Sequence, residues 1–206
     1  MKRSRALTVK YTLDRLAAIV ALVVLSPLLL VVGLLVRLDS PGPALFRQER
    51  AGLGGRRFLV WKFRTMVTGA EERSRGRFVQ EQDPLVTRPG RVLRKTAIDE
   101  LPQLLNVLRG EMSIVGPRPT LPYQVERYDE HQGRRLWMKP GLTGWAQVNG
   151  RNSLTWPERI EYDVWYVDHW SLALDLRIIV MTVFVLVTGK GATSGVGTDR
   201  IARLDG

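Results

Sequence analysis

The chain contains no cysteine and only two histidines, His131 and His169, which are far apart. That absence excludes a disulfide framework and any thiolate metal site. With so few imidazoles, a bound metal would be a hard cation held by carboxylates. No internal repeat occurs, and neither phosphate-loop pattern, GxxxxGK[ST] or GxGxxG, is present, so Gly52-Leu53-Gly54-Gly55 reads as a turn. Zinc-finger spacing, an RNA-recognition signature and an aromatic-interleaved basic strip are missing too. The net charge of +11, with pI near 10.6, therefore points to anionic headgroups or phosphorylated substrates, and nucleic acid is the weaker partner.

What the chain does have is one long run without a charge, Leu16–Val36. About 20 apolar residues suffice to cross a bilayer. A secretory leader is the wrong reading, because its apolar core is about 7–15 residues and a small-x-small cleavage site should follow. Two features speak against a plain span. Ser26-Pro27 interrupts the run, and proline removes a helical hydrogen bond. Both flanks are also basic: Lys2, Arg3, Arg5, Lys10 and Arg15 precede the run, and Arg37, Arg47, Arg50, Arg56, Arg57, Lys62 and Arg64 follow it. Lys and Arg prefer the cytoplasmic side, so a helix that enters, breaks and leaves by one face satisfies both clusters. Proline is tolerated in spanning helices, so re-entry and crossing both stand on these residues.

Residues 94–119, RKTAIDELPQLLNVLRGEMSIVGPRP, carry the chemistry. Leu101, Leu104, Leu105 and Leu108 recur at i, i+3, i+4 and i+7, which predicts a helix with one buried face. Asp99 is expected to cap it, Pro102 to fit its first turn, and Gly110 to end it. Asp99 and Glu100 then sit where a helix start favours anions and phosphate, beside Arg94 and Lys95. An ionised Asp next to a cation-binding Glu is a nucleophile-and-metal pair suited to phosphoryl chemistry. The plainer reading is a cap and a dipole partner that never react.

Elsewhere, Pro43–Met66 predicts a β-hairpin, with Lys62 and Arg64 on one strand face. Val67–Arg88 reads as a polar helix or loop. Val115-Gly116-Pro117-Arg118-Pro119 is a stiff turn that holds Arg118 for phosphate or for a structural acid. Pro140–Asn152, PGLTGWAQVNGRN, lacks periodicity and reads as a loop able to approach a ligand. Pro157–Ser171 is helical in pattern, Ile178–Val187 is an apolar run too short to span, and the tail from Gly189 is small and polar.

Four strings, GPALFRQER (42–50), KFRTM (62–66), TRPGRVLRKTAIDELPQLLNVLRGEMSIVGPRP (87–119) and PGLTGWAQVNGRN (140–152), follow one another behind the apolar run. Together they resemble the bacterial sugar transferase family, the monotopic phosphoglycosyl transferases that begin surface-glycan assembly (exopolysaccharide, capsule or lipopolysaccharide). The resemblance implies a mostly helical α+β protein with a small hairpin. It would be monotopic, with an N-terminal re-entrant helix-break-helix turning at Ser26 and Pro27. It divides the chain into a membrane segment (1–38), a catalytic domain (39–190) and a tail (191–206).

The resemblance further implies an enzyme that moves a phosphosugar from a UDP-sugar to a polyprenyl phosphate such as undecaprenyl phosphate, releasing UMP. The work would be done at the cytoplasmic face of the bacterial inner membrane. It places the catalytic dyad on Asp99 and Glu100, with Mg2+ on Glu100, and phosphate or substrate contacts on Lys62, Arg94, Arg118 and Asp163. A homodimer is a family-level expectation. A non-catalytic membrane scaffold is the alternative. The chain departs from the family at Tyr11, where a Lys-Arg-x-x-Asp pattern (here Lys10 to Asp14) carries Arg, and mildly at Ala97, where Ser is common. The first departure puts a polar tether at the membrane surface in question.

Overall fold

The structure, a computed structural model, describes residues 2–74, 79, 82–150 and 153–188. The tail 191–206, and Arg151 and Asn152 of the glycine-rich string, lie outside the described residues. The chain opens with α1, Lys2–Asp39. The break expected at Ser26-Pro27 does not interrupt it. Proline has no N–H to give the carbonyl four residues back, and the Ser26 hydroxyl donates to that same Val23 carbonyl at 2.8 Å, so the lost bond is replaced locally and the helix continues.

One stripe of α1 lies on the rest of the protein. Leu7, Ala18, Leu25, Val32 and Val36 join three successive apolar clusters, which also hold Val115 and Tyr166, then Val60 and Val107, then Phe63 and Leu93. Residues eleven, seven and four apart share a helix face, so this spacing makes a continuous seam. The other faces expose Leu16, Val20, Val23, Leu30 and Leu38, an apolar surface that a soluble domain would bury.

The expected hairpin is present: β1, Leu45–Ala51, pairs antiparallel with β2, Arg57–Phe63, around a turn of 3-10 helix at Leu53–Gly55. Short α2, Ala70–Ser74, follows, then α3, Arg88–Thr96, whose first turn is capped by Thr87 accepting from the Gly90 N–H. A 3-10 turn, Ile98–Gln103, leads into α4, Leu104–Arg109. The predicted single helix is thus two pieces. Its N-cap is Ala97, in the left-handed region at φ 57°, and not Asp99, which sits in the first turn without capping it. The buried side is Gln103, Leu104, Asn106 and Val107, while Leu108 points outward.

The string 140–152 is more regular than a loop. Gly141–Thr143 forms β4, parallel to β3 at Ser113–Val115, and α7 spans Trp145–Asn149. Glycine makes this pairing possible: a Cβ on Gly116 would lie 2.4 Å from the Lys139 carbonyl oxygen, and one on Gly141 would lie 2.1 Å from the Gly116 nitrogen. Between the strands come α5, Pro122–Val125, and α6, Glu130–Gly133, followed by a 3-10 turn at Arg134–Trp137. Two longer helices follow, α8, Trp156–His169, and α9, Leu172–Thr188.

The N-terminal end of α1 is fastened by buried polar groups. Lys10 pairs with Asp175 at 2.7 Å and lies 3.6 Å from Asp14, and Asp14 accepts from the Ser113 hydroxyl at 2.5 Å. Tyr11 supplies a tether of its own: its hydroxyl accepts from the Lys139 N–H at 3.2 Å, and the Lys139 ammonium lies 4.2 Å from its ring centre. At the other end, Arg64 donates to the carbonyls of Val36 and Ser40 at 3.1 and 2.7 Å, and to that of Pro41. A guanidinium here satisfies carbonyls left over at a helix end and complements its negative pole. Arg64 therefore anchors α1 and does not share the task of Lys62.

Candidate active site

The 3-10 turn that starts at Ala97 brings both acids of the dyad toward the hairpin. Glu100 is gripped from two sides. Lys62 of β2 donates to its Oε1 at 2.8 Å, and Arg118 donates to Oε1 at 2.7 Å and to Oε2 at 3.3 Å. Burial would raise this carboxyl, but Arg118 and then Lys62 outweigh it and hold Glu100 well below the ordinary carboxylate range. The same pairing raises the Arg118 guanidinium.

Asp99 differs in every respect. It makes no hydrogen bond or ion pair with a described residue. Burial, helped by the neighbouring Glu100 charge, pushes its carboxyl up to about 6, against the pull of Lys62, Arg118 and Arg94. One acid is therefore locked as an anion while its neighbour is unbonded and poised near neutrality. Environments that drive adjacent carboxylates apart in this way separate their roles.

Arg94 faces the same site from α3, where its Nε donates to the Thr65 hydroxyl at 3.0 Å and an Nη donates to the Val79 carbonyl at 3.1 Å. Glu100, Lys62, Arg118 and Arg94 all act on the Asp99 carboxyl, so these five side chains lie together. Asp163 does not join them as a substrate group. It lies inside the protein, 1% exposed, paired with Arg135. Burial pushes its carboxyl up to about 6, opposed by Arg135. Arg135 also donates to the Arg118 carbonyl at 3.1 Å and to the Tyr128 hydroxyl at 2.6 Å. The pair holds the backbone that carries Arg118.

Sequence reasoning missed two supporting residues, Arg135 and Asn106. Asn106 is fully buried in α4. Its carbonyl accepts from the Trp61 N–H at 3.1 Å, and its amide nitrogen donates to the Leu59 carbonyl and to Glu111, both at 2.7 Å. The side chain pairs with β2 as a neighbouring strand would. It joins the element carrying Lys62 to the one following Glu100. A lone Asn between Leu105 and Val107 on an apolar helix was the available signal, since buried polar groups must find partners. Arg135 gave no such signal in Arg134-Arg135-Leu136-Trp137.

No cluster of three or more Asp, Glu, His or Cys occurs among the described residues. Two adjacent carboxylates do fit Mg2+, which usually takes one or two carboxylates and completes its shell with water and substrate phosphates. Oε2 of Glu100, bonded only at 3.3 Å, is the oxygen with capacity left.

Comparison with known proteins bears on this arrangement. The model of the family described as bacterial sugar transferase matches residues 5–189. The uncharacterized sugar transferase EpsL of Bacillus subtilis (strain 168) is 47% identical over 182 residues, covering 88% of this chain and 89% of that protein. The UDP-glucose:undecaprenyl-phosphate glucose-1-phosphate transferase of Xanthomonas campestris pv. campestris is 45% identical over 188 residues, covering 87% of this chain but 39% of that protein. The UDP-N-acetylgalactosamine-undecaprenyl-phosphate N-acetylgalactosaminephosphotransferase of Aeromonas hydrophila is 40% identical over 190 residues, covering 89% and 45%. The chain thus spans less than half the length of the latter two relatives.

Proposed function

Since this chain belongs to the bacterial sugar transferase family, we propose that it transfers a phosphosugar from a UDP-sugar to undecaprenyl phosphate or a similar polyprenyl phosphate. The observation that carries this reading is the division of labour in the dyad: Glu100 is bound by Lys62 and Arg118, and Asp99 is unbonded with its carboxyl near 6.

In the first half-reaction an Asp99 carboxylate oxygen attacks the β-phosphorus. The bond from that phosphorus to the bridging oxygen breaks, and UMP leaves with the electron pair. An aspartyl-phosphosugar remains, and one hard step becomes two. In the second, a phosphate oxygen of the polyprenyl acceptor attacks the same phosphorus and the aspartyl P–O bond breaks. Asp99 is regenerated and the product is a polyprenyl diphosphate-sugar. Arg118, Lys62 and Arg94 neutralise charge on the phosphoryl oxygens as it develops, and Arg118 is suited to paired contacts. Mg2+, held by Glu100 and the donor's diphosphate, would supply further screening of the negative charge that Asp99 has to approach.

The membrane seat is proposed from the two ends of α1. Lys10 and Asp14 near one end, and the Val36 and Ser40 carbonyls at the other, bind the same domain. One end cannot lie across the bilayer from the other unless the domain does too. We therefore place α1 in one leaflet, with its exposed apolar faces in lipid and both basic flanks at the cytoplasmic surface of the bacterial inner membrane. The nucleotide sugar then reaches Asp99 from water and the polyprenyl phosphate reaches it from the bilayer.

The test is a set of UDP-sugars incubated with the purified protein in lipid and Mg2+, scored by UMP release and by the polyprenyl diphosphate-sugar formed. Relatives of similar identity are named for glucose and for N-acetylgalactosamine, so the set includes both. Lipid binding without turnover of any donor would leave the scaffold reading standing instead.

A further inference from the structure

Arg47 and Arg109 lie on Trp61 with their guanidinium carbons 5.0 and 5.2 Å from the ring centre. Arg47 is the cross-strand partner of Trp61 in the hairpin, and Arg109 ends α4. Both are exposed, and neither has a hydrogen-bond or carboxylate partner among the described residues. Two cations are thus pre-set around one indole with their donors unspent. Trp61 and Lys62 alternate on β2, so this group lies on the strand face opposite the one that sends Lys62 to Glu100.

Its level along α1 is marked. Gly110 directly follows Arg109, and a Cβ there would lie 2.1 Å from an Arg15 guanidinium nitrogen. Arg15 is the last charge before the apolar run Leu16–Val36. Leu59, on the same strand face as Trp61, and Leu108, beside Arg109, are exposed at 47% and 38%. Indole, guanidinium and leucine at the border between charge and a lipid-facing helix is the composition of a headgroup layer.

We propose that Arg47, Trp61 and Arg109, with Arg15 alongside, form a binding site for the phosphate of an anionic phospholipid headgroup, separate from the dyad. The paired guanidinium donors match phosphate oxygens, and continuity with the apolar surface of α1 favours a lipid over a soluble anion.

The full chain is purified from membranes of equal phosphatidylglycerol and phosphatidylcholine, exchanged into detergent, and its retained lipids are measured by mass spectrometry. No sugar nucleotide is involved, so the result stands apart from the chemistry at Asp99. The wild type should retain phosphatidylglycerol preferentially, and R47Q/R109Q should lower that preference about thirtyfold. R88Q/R91Q removes the same charge from the exposed side of α3 and should leave it unchanged. Should the double variant fail to fold, R47Q and R109Q singly should each lower it about fivefold.

Equal loss in R88Q/R91Q would overturn the site in favour of bulk charge. Loss of the lipid preference to millimolar inorganic phosphate would reassign it to a free anion. A changed oligomeric mass in R47Q/R109Q with lipid retention intact would make the face a contact between two copies.

Discussion

Arg135 and Asp163 pair in the interior of the protein, 2% and 1% exposed, and through them the turn bearing Arg118 is held against the dyad. A buried pair that loses one partner leaves the other charge uncompensated. Arg135→Met should therefore destabilise the protein by about 3–5 kcal/mol, read as a lowered unfolding temperature in lipid nanodiscs. Asp163→Asn keeps a group able to accept from Arg135 and should cost less. If Asp163 contacted substrate, Asp163→Asn would lose more activity than stability, and the reverse is expected.

The titration of Asp99 has a direction. Its carboxyl stands near 6 in the folded protein against an ordinary value of 3.8, so attack requires loss of a proton that is still held below that pH. Single-turnover UMP release should fall through pH 6 as the medium is acidified. Lys62 lowers this value, so Lys62→Met should move the acidic limb to higher pH, by about one unit. The sign for stability is opposite to that for activity. A raised folded pKa means that the proton-bound form is favoured by folding, and its contribution is lost as pH rises through 6. At pH 7, Asp99→Asn should therefore be more stable than the wild type, by at most about 3 kcal/mol, while losing function.

Asn106 uses its carbonyl and amide nitrogen against Trp61, Leu59 and Glu111. Asn106→Asp would set a carboxylate against the Leu59 carbonyl and Glu111, and Asn106→Leu would orphan two backbone groups of β2. Each buried group left unmatched costs about 1–3 kcal/mol. Activity should suffer beyond the folded fraction that survives, with kcat falling more than KM rises, because Lys62 and Glu100 lose their common reference. Equal loss of folded protein and activity, with unchanged kinetic constants per folded molecule, would make Asn106 structural only.

Tyr11 tests whether the departure from the family pattern weakens the membrane seat. Its hydroxyl bonds to the Lys139 N–H, so Tyr11→Phe should cost about 1 kcal/mol in thermal unfolding and leave UMP release nearly unchanged. Tyr11→Arg, which restores the family residue, should be no more stable than the wild type. A clear gain would show that Tyr11 is a loss without a compensating tether.

Local pattern carried much of this protein. Turn glycines between β-branched and aromatic residues placed the hairpin, and the charge-free run placed α1. The dyad and its three cations were readable because all five lie in recurrent strings. Other features depended on partners distant in the chain. At Pro27, the carbonyl that loses its helical donor is met by a hydroxyl one residue earlier, Ser26 to Val23. The left-handed Ala97 divided the expected helix and removed Asp99 from the cap position, and nothing at Ala97 announces a positive φ. The strand in 140–152 exists because Gly116 and Gly141 allow a close parallel approach, a property of the two segments together. Asp163 was expected to contact substrate, whereas it is buried against Arg135, a residue whose meaning comes only from what it touches.

The most direct measurement is intact-protein mass spectrometry after mixing the purified enzyme with its UDP-sugar and Mg2+ in the absence of acceptor. The wild type should gain the mass of one phosphosugar, mapped by peptide sequencing to Asp99 and discharged when polyprenyl phosphate is added. Asp99→Asn should gain none and release no UMP. An undiminished burst of UMP from Asp99→Asn, or an adduct mapped to another side chain, would contradict the assignment of Asp99 as nucleophile.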